Sequence, residues 1–292
     1  MRSPEYMRRP HWLKVHLTGK GDYRHVRDVI QQASLNTVCA SARCPNIGEC
    51  WARRTATFLI MGNICTRNCR FCAIESGRPE ALDPEEPLRV ARAVRALKLK
   101  YAVVTSVTRD DLPEGGAQHF AETIRNIKKE QDRCRVEVLI PDFKGSTQAL
   151  EQVLQTRPEV LNHNIETVPR LYKSVRPQAD YSRSLAVLKN AKAMGAVTKS
   201  GMMVGLGETS QEIVETMRDI RRVGCDIFTI GQYMQPSKDH LPIDRFVHPE
   251  EFARLRQLGI ELGFRHVEAG PLVRSSYHAD AQYQVESSSH AS

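Results

Sequence analysis

The stretch TATFLIMGNICTRNCRFC, residues 55–72, sets an apolar run directly before three cysteines. TATFLIMG (55–62) is short, carries β-branched and aromatic residues and closes on glycine, the pattern of a buried strand. Cys65, Cys69 and Cys72 then fall in the loop beyond that strand, where one curl of chain can gather three thiols. A closed tetrahedral metal site takes four ligands, and no fourth cysteine or histidine follows nearby. The loop is one ligand short.

The same pattern of apolar run and polar end repeats along the chain. YAVVTSV (101–107), CRVEVLI (134–140), VLNHNIE (160–166), TKSGMMVG (198–205) and DIFTIGQY (226–233) read as five more strands. Between them PLRVARAVRALKL, AQHFAETIRNIKKEQ, SRSLAVLKNAKAMG and SQEIVETMRDIRRVG carry apolar residues at helical spacing, and HPEEFARLRQLGIELG (248–263) is a last helix. Thr209 or Ser210 caps the fourth of these, with acids in its first turn. Six βα units in order imply an α/β fold with a parallel sheet and right-handed crossovers.

Such a sheet is either doubly wound or a barrel. About 210 residues are available (55–264), short of the ~250 of an eight-stranded barrel, so a barrel would be partial. In both, chemistry collects where strands end. Cys65, Thr108 to Asp111, Asp142, Asn164 with Glu166, Gly205 to Glu208, and Gln232 with Gln235 stand at those ends. Packing does not explain that repetition on one rim. Residues 1–54 and 265–292 read as extensions laid across the 55–264 unit, with the SSSHAS end frayed.

Of the 292 residues 41% are hydrophobic, enough for a sizeable core. No apolar run approaches the ~18 residues that cross a bilayer, so a soluble chain is expected. MRSPEYMRRPHWLKVHL is basic but lacks a signal peptide's apolar centre and cleavage site, which points to the cytoplasm. The net charge of +8 suits solubility, an acidic protein partner or a phosphate-bearing cofactor. No helix-turn-helix, RNP or KH signature and no aromatic-interleaved basic stripe argues for nucleic acid.

Six of the eight cysteines lie between Cys39 and Cys72. A disulfide framework would spread them, in a small secreted domain. Clustered thiols in a cytosolic-type chain read as metal ligands, and the isolated Cys134 and Cys225 as buried small hydrophobes. Structural zinc usually takes two separated Cys-x2-Cys pairs. Cys65-x3-Cys69-x2-Cys72 instead suits a 4Fe-4S cubane, with one iron left for another ligand. A second triad, Cys39-x4-Cys44-x5-Cys50 in CASARCPNIGECW, is spaced more widely. Two zincs sharing six thiols are the alternative. Each triad has its own loop, so a second cubane with a ligand from elsewhere fits better.

The first triad, with Phe71 just before its last cysteine, resembles the signature of the radical S-adenosylmethionine (SAM) enzymes. That resemblance implies a partial (β/α)6 TIM-type barrel and a cluster whose unique iron is chelated by the amino and carboxylate groups of SAM. An electron from the cluster would split the C5′–S bond to give a 5′-deoxyadenosyl radical. Within that superfamily, CPNIGECW, SVTRDDLPEGGAQHF, VEVLIPDF, LNHNIETV, VRPQADY, TKSGMMVGLGE, IGQYMQPS, HLPIDRFVHPEEF and GPLVRSSYHAD resemble the blocks of the lipoyl synthases, over roughly residues 35–281. Arg54 departs from the pattern, where the family usually has glycine before TATF.

In that family a serine of the RSSY motif completes an auxiliary cluster. The resemblance assigns this role to Ser276, with Ser275 the fallback, and makes Arg274 a gate or buttress. An oxygen ligand on iron is weaker and easier to displace than thiolate, which suits a cluster to be dismantled. The implied reaction inserts two sulfurs, at C6 and C8 of an octanoyl group on a carrier lysine, drawn from the cluster at Cys39, Cys44, Cys50 and Ser276. The implied partners are octanoylated lipoyl carrier domains (2-oxoacid dehydrogenase acyltransferase subunits, glycine cleavage H protein), a low-potential donor (flavodoxin or ferredoxin) and an iron–sulfur carrier protein, with no nucleic acid and no membrane.

Asn164 and Glu166 are candidates for the methionine or ribose part of SAM, Arg176 and Lys199 for its carboxylate, with Phe71 beside them. A structural salt bridge competes with each charged assignment. GLGE (205–208) lacks the Lys-Ser/Thr of a P-loop and reads as a tight turn beside the adenosine. Two other readings stay open: a biotin synthase-like or tRNA methylthiotransferase-like enzyme, and a zinc-stabilised nucleic-acid-binding protein. A tRNA modifier usually adds an RNA-binding domain, and about 28 residues follow the last helix. Metal analysis after anaerobic reconstitution is expected to give about eight irons with matching sulfide per chain. Zinc without iron would remove the cluster reading.

Overall fold

The computed structural model describes residues 8–14, 22–41, 44, 46–52 and 55–284; Arg54 and the SSSHAS end lie outside the described residues. The N-terminal segment carries α1 (Asp22–Gln32), the two-residue β1 (Asn36–Thr37), α2 (Val38–Ser41) and α3 (Ile47–Ala52). Then come β2 (Thr57–Ile60) and the short pair β3 (Ile64–Cys65) and β4 (Glu75–Ser76), which brackets the cysteine loop. The repeating units follow: α4 (Glu86–Ala96), β5 (Tyr101–Ser106), α5 (Ala117–Glu130), β6 (Arg135–Leu139), α6 (Thr147–Leu154) and β7 (Val160–Asn162). They continue as α7 (Tyr172–Val175), α8 (Tyr181–Ala193), β8 (Thr198–Val204), α9 (Ser210–Arg222), β9 (Ile227–Gln232) and α10 (Pro249–Glu261). β10 (His266–Gly270) and α11 (Ala279–Gln284) close the chain.

One sheet runs in the order β1-β2-β5-β6-β7-β8-β9-β10. β2 and β5 to β10 are parallel, while β1 lies antiparallel on the outer edge of β2. Each crossover returns to the adjacent strand, so the order never reverses as it must in a doubly wound sheet. The barrel alternative holds: six βα units, β2 and β5 to β9, form the partial barrel. The two flanking segments each add an edge strand that the sequence pattern did not announce.

Burial explains the strand sequences. β2 and β9 are buried at every residue, as parallel strands covered on both faces must be, so they read as continuous apolar runs. Helices press one stripe each onto the sheet: Phe120, Ile124 and Ile127 of α5, and Ile213, Met217 and Ile220 of α9, are all fully buried. α9 starts with the cap expected at Thr209, closed as a capping box with Glu212. Cys134 and Cys225 are buried among apolar side chains, also as expected. Among the described residues, no helix is long and apolar enough to cross a membrane.

Two elements differ from expectation. α6 has only eight residues, started by Ser146 Oγ accepting from Ala149 N, and its apolar stripe is too short to show periodicity. The strand expected over 160–166 stops at Asn162; Glu166 rejoins β8 through a single bridge to Met202. Glu166 has φ +70°, and Ser200 Oγ takes the Ile165 N–H in place of a ladder bond. That break re-aims Asn164 and Glu166.

Four strands contribute to one buried polar layer. Lys199 Nζ, fully buried, donates to both Glu137 oxygens at 2.9 and 3.2 Å. Glu137 also accepts from Tyr101 Oη and Asn162 Nδ2. Lys199 thus takes the structural reading: Glu137 engages its ammonium. A buried pair tolerates loss of one partner poorly. Lys199→Met is expected to cost ~3–5 kcal/mol in chemical denaturation, and adding Glu137→Leu to recover much of it. A loss under ~1 kcal/mol would place the pair in water.

Candidate active site

The loop from Cys65 to Gly77 is tied down by the loops around it. Thr66 donates from its backbone and its hydroxyl to Thr108 O at 3.0 and 2.9 Å, and its Oγ1 accepts from Asp110 N. Arg70 N reaches Val175 O, Leu241 N reaches Arg70 O, and His240 Nε2 lies 2.9 Å from Cys72 O. Inside the loop, buried Arg67 grips Asp110 through Nε (2.6 Å) and Nη2 (2.9 Å), and Asp142 through Nη2 (2.6 Å). Arg183 Nε takes the other Asp142 oxygen at 2.8 Å. Cys65 Sγ itself accepts from Thr108 N and Arg67 N at 3.3 and 3.4 Å.

The three cysteines are half-buried in one loop. Burial pushes Cys72 up to about 12, and the charges of Cys69, Cys65 and Glu166 add to it. Burial also raises Cys69, against the pull of Arg176. Three thiols within eight residues form a donor set suited to a cationic centre, which would hold them as thiolates. A 4Fe-4S cluster with three protein ligands fits that set.

Beside it stand three of the residues assigned to SAM. Asn164 Nδ2 donates to Glu166 Oε1 at 3.0 Å, and Arg176 Nη1 donates to Asn164 O, Ile165 O and Tyr172 Oη at 3.1, 3.3 and 3.1 Å. Burial raises Glu166 although Arg176 and Asn164 favour its charged form. Asn164 Oδ1 and Arg176 Nε are buried with no hydrogen-bond partner among the described residues. Such orphans cost ~1–3 kcal/mol each, and a polar ligand would satisfy them. Gly201 keeps Asn164 in place: a Cβ there would lie 2.5 Å from Thr229 Oγ1 and 3.0 Å from Asn164 Oδ1. Phe71 is half-buried within the cysteine loop. Lys199 stays apart, in the polar layer. GLGE is the tight turn expected, with Glu208 accepting from Gly205 N and Leu206 N.

The second triad forms its own recess. Cys39 sits in α2, Cys44 N bonds back to Cys39 O, and Cys50 sits in α3. With Asn46, Thr57, Arg274, Ser276 and Tyr277 these thiols line one recess. Ser276 reaches it although it lies 226 residues after Cys50 (276 − 50). Among the described residues no three His, Cys, Asp or Glu side chains converge on one metal ion's position; here three thiols and a hydroxyl ring an open space, which suits a multi-iron centre. Burial raises Cys39 and Cys44, and the Arg274 cation opposes that at Cys44.

The tail is seated by residues that sequence reasoning treated as spacers. Asn46 Nδ2 donates to Leu272 O at 2.7 Å; Glu49 accepts from Tyr277 Oη at 3.1 Å and meets His278 Nε2 at 2.8 Å. Below, a Cβ on Gly231 of β9 would lie 2.1 Å from Val273 O. Arg274 Nη1 donates to Val273 O at 2.7 Å and to Gln232 O at 3.4 Å. Arg67 was missed likewise. Its one sequence signal is a charge inside the cysteine loop with acids waiting at two strand ends.

Residues 59–220 match the Radical SAM superfamily. The lipoyl synthase of Rubrobacter xylanophilus is 59% identical over 276 residues, covering 94% of this chain and 86% of that protein. That of Caldanaerobacter subterraneus subsp. tengcongensis is 58% identical over 276 residues, covering 94% and 96%. The chain belongs to the lipoyl synthase family. As a lipoyl synthase family member it is a sulfur-inserting radical SAM enzyme, which uses a 4Fe-4S cluster and SAM. The crystal structure of methylornithine synthase shares the fold at 15% identity, with a TM-score of 0.56 and 87% of each chain covered.

Arg67 and Asp142 give this lipoyl synthase fold a pH signature. Burial alone would raise the Asp142 carboxyl, but the Arg67 hydrogen bonds and charge hold it well below the usual range. A depressed carboxylate contributes stability that is present above the unfolded value of ~3.9 and is lost as pH falls towards the folded value. Arg67→Ala is expected to cost ~3–5 kcal/mol at neutral pH. The gap to the parent should narrow below about pH 4. Denaturation series at both pH values check this; a gap independent of pH contradicts it.

Proposed function

We propose that this chain inserts sulfur at C6 and C8 of an octanoyl-lysine on a lipoyl carrier domain. Cys65, Cys69 and Cys72 hold one 4Fe-4S cluster, and Cys39, Cys44, Cys50 and Ser276 hold a second. When bound, the first cluster with SAM supplies one-electron hydrogen abstraction, and the second supplies sulfur. The observation that carries the reading is the meeting of three thiols and Ser276 around one recess.

The chain's own groups act by binding and orientation. Arg67, locked to Asp110 and Asp142, fixes the cysteine loop. Asn164, Glu166 and Arg176 present unsatisfied polar atoms and a carboxylate to SAM, beside Phe71. Arg274 sets a cation against Cys44, and Ser276 supplies a hard oxygen that iron releases more readily than thiolate. The segments 1–54 and 265–292 complete the second site, while 55–264 houses the first. A flavodoxin or ferredoxin as electron donor and an iron–sulfur carrier complete the cycle, and the +8 charge suits acidic partners.

Anaerobic reconstitution with an octanoyl-lysyl peptide, followed by mass analysis, tests the assignment. Alanine at Cys65, Cys69 or Cys72 is expected to abolish SAM cleavage. Alanine at Cys39, Cys44 or Cys50 should leave cleavage and stop lipoyl formation. Lipoyl product from the second set would mean that the recess is not the sulfur source.

A further inference from the structure

Water competes with a serine hydroxyl for an open iron corner, and both offer oxygen. Serine has little intrinsic advantage, so a tail hydroxyl wins only if it is held in place at high effective concentration. The holding contacts lie inside the Cys44-x5-Cys50 spacer. Asn46, Glu49 and Cys50 are spaced i, i+3, i+4, so the turn that presents Cys50 presents both other side chains on the same face. Asn46, buried, takes Leu272 O, four residues before Ser276. Glu49 accepts from Tyr277 and pairs with His278, one and two residues after Ser276, whose rings stack at 3.9 Å. Gly231 leaves room for Val273 O beneath.

We infer that Asn46 and Glu49 are positioning residues that seat residues 272–278 from both sides of Ser276 and thereby make it, rather than water, the fourth ligand of the second cluster. The inference rests on the proposed second cluster. The spacer is therefore a receptor for the tail, and its length of five is set by the need to reach both sides of the serine.

The test uses the full chain with Cys65, Cys69 and Cys72 all changed to Ala, so that only the second site loads. That parent is expected to hold about four irons. Asn46→Ala with Glu49→Ala should lose about one iron on mild oxidation, giving a three-iron EPR signal. Ser276→Ala should give the same signal, and combining all three should add nothing; Glu49→Gln, which keeps an acceptor for Tyr277, should restore the parent spectrum. If the double variant does not fold, Tyr277→Phe with His278→Leu removes the Glu49 contacts from the tail side and should give the same signal. A double variant with the parent's iron and spectrum, or effects that add to those of Ser276→Ala, would overturn the inference. A parent that binds no iron would instead sink the second cluster, and this inference with it.

Discussion

Hydrogen bonds between Asn46 and Glu49 on one side and the segment around Ser276 on the other join parts of the chain more than 225 residues apart. They do so at the one place where an incomplete barrel needs it. β1 extends the sheet beyond β2 and β10 extends it beyond β9, and these edge strands belong to the two segments that then meet each other. The same meeting brings three thiols and a hydroxyl to one recess. The contacts that join the two edge segments thus lie beside the recess, where a Cβ on Gly231 would come within 2.1 Å of Val273 O.

The first site rests on a different constraint. Its thiols come from eight consecutive residues, so no long-range meeting is needed to collect them. What the fold supplies is rigidity: Arg67 reaches two strand-end carboxylates, and the loops after β5, β6 and β9 hydrogen-bond the cysteine loop directly. Burial raises Cys69 and Cys72, and a cationic centre would offset that cost by binding them as thiolates. The break in the ladder after Asn162 belongs to the same design. It turns Asn164 and Glu166, the latter at a left-handed φ, towards that loop and leaves polar atoms there without partners among the described residues.

The barrel strands were legible because parallel strands buried on both faces must read as apolar runs, and the cysteine triads stood out because their thiols cluster in short stretches of the chain. The edge strands were not: two residues at Asn36–Thr37 carry no period, and HVEAG is too polar to look like a strand. Arg67, Asn46 and Glu49 were hidden for another reason. Their partners are backbone carbonyls or side chains tens to hundreds of residues away, and a spacer residue shows its role only once the far end has arrived. Lys199 shows the converse. A lysine in a strand suggests a ligand from sequence, and only Glu137, two strands over, reveals a structural pair.

An anaerobic crystal structure of the reconstituted protein tests the central claim most directly. Iron anomalous scattering should show a four-iron centre inside the recess of Cys39, Cys44 and Cys50, with Ser276 Oγ bonded to its fourth iron and Asn46 and Glu49 still holding the tail. A recess without iron, or a fourth iron bonded to water while Ser276 points away, would contradict the account.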